Sequence, residues 1–495
     1  MLMLRRFQAA RQSSSWRRPL LLGAAALCCS LLLAGCGVVA RGVEHVQGAS
    51  AHAGNIGRYG RLTNQELAWA KTAWRYVENN TNPDSGLVNG SDRLPLFTAW
   101  QAGDYLASLV AAREIGLIDE HELDLRLSRL LGFLGSMDLS EGKLPNKAYN
   151  AITGKMVNFG NQPEDIGWSA VDIGRLLMWM KITGQRYPQF QEYLDKAALR
   201  WSYCEVIDDC GVLSGTSRSK GQTSKYQEGR LGYEQLASAG FAAWGFNTSL
   251  SGNTPKTEAI NILGLPVHYD ARDARSSGVQ TPVLTMPHVF MGMELGWRAP
   301  AKEGFEPGGA GPTARQLADE VYRVQETRYR KERVFTARSD YQLRTEPYQV
   351  LDAVYVAGYP WNTVGSDGKE YEKLALVSTR TAFGMWALWP TDYTDRLIEV
   401  VQSLYDPERG WFEGRLEVSG APQQNITLST NAAVLEALLF KLKGQLYQSE
   451  PAPGYFQVQL ADVFLRLNRC LPSERPICEA KSARSSPGTT PLPPQ

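Results

Sequence analysis

The segment Tyr226-Gln227-Glu228-Gly229-Arg230-Leu231-Gly232-Tyr233-Glu234-Gln235 gathers two carboxylates, two tyrosines and an arginine in a short stretch. Gly229 and Gly232 permit close backbone approach or positive φ beside Glu228. Carboxylates in such a setting suit cleavage of a glycosidic bond. One protonates the leaving oxygen, and a second acts as nucleophile or activates water. Glu228 is the expected acid, because a loop glutamate among apolar and aromatic neighbours has its pKa raised. Asp165 is the expected base, read as lying in the first turn of a helix opened by Pro163, where the dipole favours the ionised form. Asp172, Glu234, Asp270, Glu346 and Glu413 are rivals. The bland alternative is that Arg230 pairs with one glutamate and Glu234 caps a helix.

Three further segments have polar and aromatic helix starts. Leu96–Asp104 carries Trp100. In Glu164–Arg175, Ile166, Ala170, Ile173 and Leu177 form one stripe, and Asp165, Trp168, Asp172 and Arg175 form another. The second stripe fits a wall of a wet cavity, or else a solvated face with an Asp172–Arg175 pair. Gln423–Asn431 follows Trp411 and Glu413, and its amides and hydroxyls suit either sugar hydroxyls or helix caps. Expected substrate contacts are Trp100, Trp168, Tyr226, Arg230, Tyr233, Asp270, Glu346, Trp411, Glu413 and Asn431. Tyr269–Asp273 reads as another cavity loop or as a surface salt-bridge cluster.

The elements that must position these groups are helices. Thr63-Asn64-Gln65-Glu66 is a capping box, with Leu62 and Leu67 placed as a staple. Asp119 caps a helix with Leu123, Leu127, Leu130 and Leu134 on one stripe. Strand-like alternation is scarce. A turn recurs as Asp84-Ser85-Gly86-Leu87, Glu141-Gly142-Lys143-Leu144, Asp209-Cys210-Gly211-Val212 and Glu408-Arg409-Gly410-Trp411. Its glycines are 56, 69 and 199 residues apart, the last close to three times 66. A second echo sets Thr285-Met286-Pro287 against Thr345-Glu346-Pro347, each read as opening an apolar helix. A period this long suits a helical hairpin plus a loop. Six such hairpins would fill residues 60–450 and could close into an all-α (α/α)6 toroid, with few short strands in its loops. An open helical solenoid is the alternative.

The chain has 495 residues, 52 basic and 51 acidic. That balance leaves no electrostatic footprint for nucleic acid. Thirteen Trp and 21 Tyr either fill a large core or line a sugar cleft. The N-terminus reads as a signal peptide (1–35): a run of arginines, then the uncharged Leu20–Leu33, too short to span a membrane. Leu33-Ala34-Gly35-Cys36 resembles a lipobox, so Cys36 is the expected lipidation site and 36–60 a lipidated tether. Gly37 in place of aspartate points to the outer membrane. Residues 61–470 form the domain and 471–495 a disordered tail. Cys204, Cys210, Cys470 and Cys478 remain, and their short spacings favour Cys204–Cys210 and Cys470–Cys478 disulfides in an oxidising space. The five histidines form no metal-ligand cluster, and no phosphate loop, dinucleotide fingerprint or nucleophile elbow stands out. Neither metal nor cofactor is expected.

At Ile166–Leu177, Gln227–Gln235 and Thr430–Glu436 the chain resembles a bacterial family of exported proteins, the domain of unknown function 3131. That family is similar in outline to glucoamylase-like toroids and β-1,2-glucan hydrolases. The resemblance covers most of residues 60–445. It implies the (α/α)6 fold and contact with glucan or exopolysaccharide. The expected protein is a lipid-anchored envelope glycoside hydrolase acting on poly- or oligosaccharide. The alternatives are a non-catalytic carbohydrate-binding or exopolysaccharide-export accessory, or a scaffold within envelope polysaccharide machinery.

Overall fold

The computed structural model describes residues 56–272, 281–298, 311–448, 470–472 and 474–475. The signal segment, Cys36, Cys478, Asp273, the Gly/Pro-rich 304–310 and the C-terminal tail beyond Arg475 lie outside the described residues. The chain divides after Asn55, and the unit from Ile56 onward is the one described.

Twelve α-helices occur among the described residues. They are α1 (Asn64–Asn80), α2 (Ala99–Ile115), α3 (Glu120–Ser136), α4 (Ala170–Arg186), α5 (Gln191–Leu199) and α6 (Tyr233–Ala242). They continue as α7 (Ser249–Gly252), α8 (Met286–Leu295), α9 (Ala314–Glu332), α10 (Thr379–Leu388), α11 (Asp392–Val401) and α12 (Leu428–Lys443). The even-numbered helices touch one another in chain order, α2 to α4 and so on to α12, and α12 touches α2. Each odd-numbered helix packs on an even-numbered one beside it.

Burial explains this division. The ten residues of α8 and of α10 are all buried. Outer α3 buries only Leu123, Leu127, Leu130, Leu131 and Leu134. A helix apolar all round needs neighbours on every side, whereas one apolar stripe suits an outer position. Side chains of Thr98, Ser169, Ser378 and Thr427 cap α2, α4, α10 and α12, so the inner helices begin where their sequences place hydroxyls. The Thr63/Glu66 capping box and the Asp119 cap form as expected.

The recurring turn has a backbone cause. Gly86, Gly142, Gly211 and Gly410 all take positive φ, and they follow α1, α3, α5 and α11. Each sits between an outer helix and the next inner one, where the chain must reverse. The second echo does not hold. Met286-Pro287 opens α8, but Thr345–Pro347 lies between strands Asp340–Gln342 and Gln349–Asp352, which pair with each other. Buried Tyr341, Val350 and Leu376 pack together there, and that burial decides for strand.

Strands are more numerous than expected: 18 short ones in eight antiparallel sheets among the described residues. The two longest hairpins are Ser214–Ser219 with Gln222–Gln227 and Thr257–Ile262 with Leu265–Asp270. Their two-residue turns, Lys220-Gly221 and Leu263-Gly264, take positive φ at both positions, matching the twist of the strands they join. The first hairpin is largely exposed and so lacks the apolar alternation that marks a half-buried strand.

Three other expectations change. Residues 56–60, within the expected tether, are ordered: Arg58 N–H donates to Ala387 (2.7 Å) and Gly60 N–H to Lys441 (2.9 Å). The helix expected to open at Pro163, α4, begins at Ala170 instead, where the Ser169 side chain caps it. Cys204 pairs with Cys470, not Cys210, across 266 residues of sequence and a Cα–Cα distance of 4.9 Å. Spacing along the chain favours small loops, but the fold brings the C-terminal segment back to Cys204. Closing so long a loop restricts the unfolded chain more, giving a stabilisation of about 2–4 kcal/mol or somewhat above it.

Helices α4 and α6 meet backbone to backbone. A Cβ at Gly240 would run into the carbonyl of Gly174, and one at Gly174 into the backbone of Ala237. No flexible side chain can yield there. Gly240→Ala is therefore expected to lower stability by about 1–3 kcal/mol, despite alanine's better helix propensity. A chemical denaturation midpoint equal to or above the native one would refute this.

Candidate active site

Partly solvent-exposed side chains gather at the starts of the inner helices. Trp100 stands in the first turn of α2, Asp172 in that of α4, Tyr233 in that of α6 and Ser429 in that of α12. Lys147, Tyr226, Glu228 and Asp340 join them from the connecting loops and are also partly exposed. Trp100 meets Tyr233 edge-on at 5.5 Å and Phe290 at 6.0 Å. These rings form an aromatic floor.

Beneath the floor lies a buried charge hub. Arg175 of α4 bonds Glu436 of α12 (3.0 Å), Asp104 of α2 (3.5 Å) and Glu294 of α8. Its guanidinium lies 3.8 Å from the Phe290 ring centre and 5.1 Å from that of Trp100. Burial pushes Asp104 upward, and Glu436 up to about 7. Arg175 thus makes neither the expected Asp172 pair nor a wet face; three other carboxylates claim it. Ser429 reaches down to Asp104 at 2.7 Å.

Glu228 and Asp172 share the N-terminus of α4. The Ala170 N–H donates to Glu228, and the Ser169 hydroxyl, which accepts the Asp172 N–H at 3.1 Å, lies near both carboxyl groups. Burial raises the Glu228 pKa, while Ser169 and the Ala170 N–H oppose the rise. Burial, with the charge of Glu228 added, pushes Asp172 up to about 7. Lys147 bonds the Tyr226 hydroxyl at 3.2 Å and lies near both acids, with its own pKa lowered by burial. Two close carboxyls, each with its pKa raised by burial, suit the transfer of a proton to an accessible acceptor.

Asp165 is elsewhere in this assembly. It precedes α4, so its expected place in a helix's first turn is not what the structure has. Its carboxylate accepts from Ser140 (2.6 Å), the Glu141 and Gly167 N–H groups (both 3.1 Å) and Arg218 (2.9 Å). Burial works against its ionisation, but these donors outweigh it and hold the pKa low. Asp165 and Glu228 bracket the same segment, and the first hairpin lies along it: Thr216 N–H donates to Trp168 (3.0 Å) and Arg218 N–H to Ile166 (3.3 Å).

The other expected residues divide clearly. Glu234 is buried and bound to Arg272 (2.5 Å) and Gln227 (3.1 Å); burial raises its pKa and Arg272 opposes. Asp270 is buried against Arg272 at 2.6 Å and is held below the usual carboxylate range by it. The Tyr269–Arg272 run is thus an ion cluster that anchors the second hairpin. Arg230 is buried and bonds neither glutamate; it donates to Gly229 at 3.2 Å. Trp168 is buried, its indole N–H on Ser214 at 3.2 Å. Trp411 and Asn431 are also buried, and Asn431 accepts from the Trp411 backbone at 2.9 Å. Glu413 is buried, accepting from Thr427 and from Thr430 (3.0 Å). Glu346 is exposed in its loop. Of the expected contacts, Trp100 and Tyr233 pack on each other and Tyr226 lies near Glu228 and Asp172; Trp168, Arg230, Asp270, Trp411 and Asn431 are buried.

Sequence reasoning missed Lys147, Asp340 and Arg380. Arg380 is the second residue of α10, and the rule that inner-helix first turns face the hollow would have flagged it. Asp340 opens a short strand and carried no signal. Among the described residues, no three His, Cys, Asp or Glu side chains stand where they could hold a metal ion.

A model of the family described as Protein of unknown function (DUF3131) matches residues 68–444. The chain belongs to this family. No curated protein matches it. Solved structures do. A protein from Bacteroides fragilis NCTC 9343, provisionally assigned as a glucoamylase, superimposes with a TM-score of 0.54 at 13% identity, over 79% of this chain and 95% of its own. An endo-β-1,2-glucanase from Chitinophaga pinensis, in complex with sophorotriose and glucose, gives 0.53 at 13% identity, over 78% and 94%. A β-1,2-glucanase from Parabacteroides distasonis gives 0.53 at 13%, over 78% and 58%. These likenesses establish a common fold with this family member.

Asp172 supplies a pH test. Burial and the neighbouring Glu228 push its folded pKa up to about 7, above the ordinary 3.8. An acid whose folded pKa is raised loses stability for the fold as pH rises through that interval. Asp172→Asn should therefore unfold at a higher temperature than the native protein at pH 8. The gap should close towards pH 4. A native protein as stable as the variant at both pH values would refute the shift.

Proposed function

We propose that this protein is an exported glycoside hydrolase acting on a glucan or related exopolysaccharide, built as a closed (α/α)6 toroid with its site at the inner-helix N-termini. One observation carries the reading: Asp172 and Glu228, both pushed up by burial, share a partly open position beside the Trp100–Tyr233 floor. Apolar ring faces suit the C–H faces of a sugar, and the paired carboxyls supply the proton that a glycosidic oxygen needs. Asp172 is the donor and Glu228 its partner, because helix N–H groups favour a carboxylate on Glu228. Asp165, its oxygens taken by four donors, has no part in the chemistry. The ring order of the inner helices supports the toroid. The Chitinophaga relative, captured with sophorotriose and glucose, makes β-1,2-glucan the first substrate to try.

Purified mature protein is expected to release reducing ends from β-1,2-glucan or from the producer's own polysaccharide. Asp172→Asn and Glu228→Gln should each lower kcat by about 100-fold or more while leaving sugar binding largely intact. Binding without cleavage by the native protein would favour the accessory reading instead. Native rates in both variants would remove the pair from the chemistry.

The lipid anchor is part of the same proposal, supported by the signal-like arginines and apolar run and by Leu33-Ala34-Gly35-Cys36. Cys36→Ser should abolish palmitate incorporation in growing cells and move the protein from the detergent phase to the aqueous phase. Continued labelling of that variant would rule out Cys36.

A further inference from the structure

We propose that Asp340 is the base that activates water, so that the hydrolysis inverts the anomeric centre. This rests on the glycan-cleaving reading above and assigns its second carboxylate. Asp340 is partly exposed and is oriented by three donors that converge on one oxygen. The Tyr233 hydroxyl bonds Oδ1 at 2.8 Å, the Ser339 hydroxyl at 2.9 Å and the Arg380 guanidinium at 3.2 Å. Among the described residues no hydrogen bond falls on Oδ2. One oxygen is therefore fixed, and the other is open to accept a proton.

Its position complements the acid pair. Arg380 ties Asp340 to α10, and in the order α2, α4, α6, α8, α10, α12 that helix stands three places from α4. Asp172 and Glu228 occupy the start of α4. Tyr233, which holds Asp340, also meets Trp100 on the floor. The acid pair at the start of α4 and Asp340 beside α10 thus belong to inner helices that stand opposite in the ring order. Inverting enzymes keep their carboxyls far enough apart to admit a water, whereas retaining enzymes hold them close enough for direct attack. In the step that follows, the carboxyl of Asp172 gives its proton to the glycosidic oxygen as the C1–O bond breaks. A water oxygen bonds C1 from the opposite face, and the proton it sheds goes to Oδ2 of Asp340.

Tyr233 and Arg380 are positioning residues in this scheme. Buried Glu413, with Thr427 and Thr430 both on its Oε1, is the rival base that the test must separate from Asp340.

The test compares the native protein with Asp340→Asn, Asp340→Ala and Glu413→Gln on the glucan that the native protein cleaves. Product anomers are read by proton NMR within the first minutes. Asp340→Asn should lose about 100-fold or more in kcat with KM within a few-fold, and azide should restore turnover to Asp340→Ala as a glycosyl azide. The native product should have the inverted configuration. A retained anomer, or an Asp340→Asn rate within a few-fold of native, overturns the assignment while the glycosidase reading stands. So does a loss seen only in Glu413→Gln. A native protein that cleaves no glycan overturns both. Circular dichroism and sugar binding show that each variant remains folded.

Discussion

A guanidinium withdrawn from water must find partners, and where it finds them constrains everything around it. Arg175 is buried in α4, and its partners come from α2, α8 and α12. A single side chain thus ties together four of the six inner helices. Three carboxylates around one cation leave an excess of negative charge, so burial drives Asp104 and Glu436 towards their protonated forms. Trp100 and Phe290 cover the hub from above, and Trp179 donates to Glu294 at 3.1 Å. The floor of the hollow is therefore the lid of a charge network. Its rings are held by the same residue that joins the helices.

The chemistry above the floor comes from a related tension. The first turns of the inner helices leave N–H groups in need of acceptors, which capping hydroxyls such as Ser169 and Thr427 supply in part. Glu228 enters from a hairpin end and takes the N-terminus of α4. Asp172, two residues into that helix, is then left beside a second carboxyl. Neither acid is unusual by itself. The rise in both follows from bringing a loop acid and a helix acid to one poorly hydrated place. On the far side Asp340 has Tyr233, Ser339 and Arg380 on one oxygen. The two sides differ in what they hold ready, a proton on one and a proton acceptor on the other.

The hairpins that carry these residues are held by ion clusters away from the hollow. Asp165 fastens the first hairpin to the α4 lead-in through Arg218. Glu234 and Asp270 fasten the second through Arg272, and Arg338 with Asp352 (2.9 Å) holds the strands near Asp340. Acids with nearly the same local sequence appearance thus do different work. Asp165 reads as the base from its expected place in a helix's first turn, where the dipole favours the ionised form. Four donors, three of them distant or from neighbouring turns, determine otherwise.

What the sequence determined alone was the local grammar: Thr63 and Asp119 start helices, and Gly86, Gly142, Gly211 and Gly410 reverse the chain after outer ones. Those features depend on a few adjacent residues, so spacing reveals them. The same is true of the acid-rich Tyr226–Glu234 segment, whose composition marks it wherever it falls. Only the tertiary structure decided that Arg175 meets three distant carboxylates, that Cys204 meets Cys470, and that Asp172 rather than Asp165 stands beside Glu228. Burial and charge proximity are set by residues tens or hundreds of positions away. No pattern along one segment encodes them.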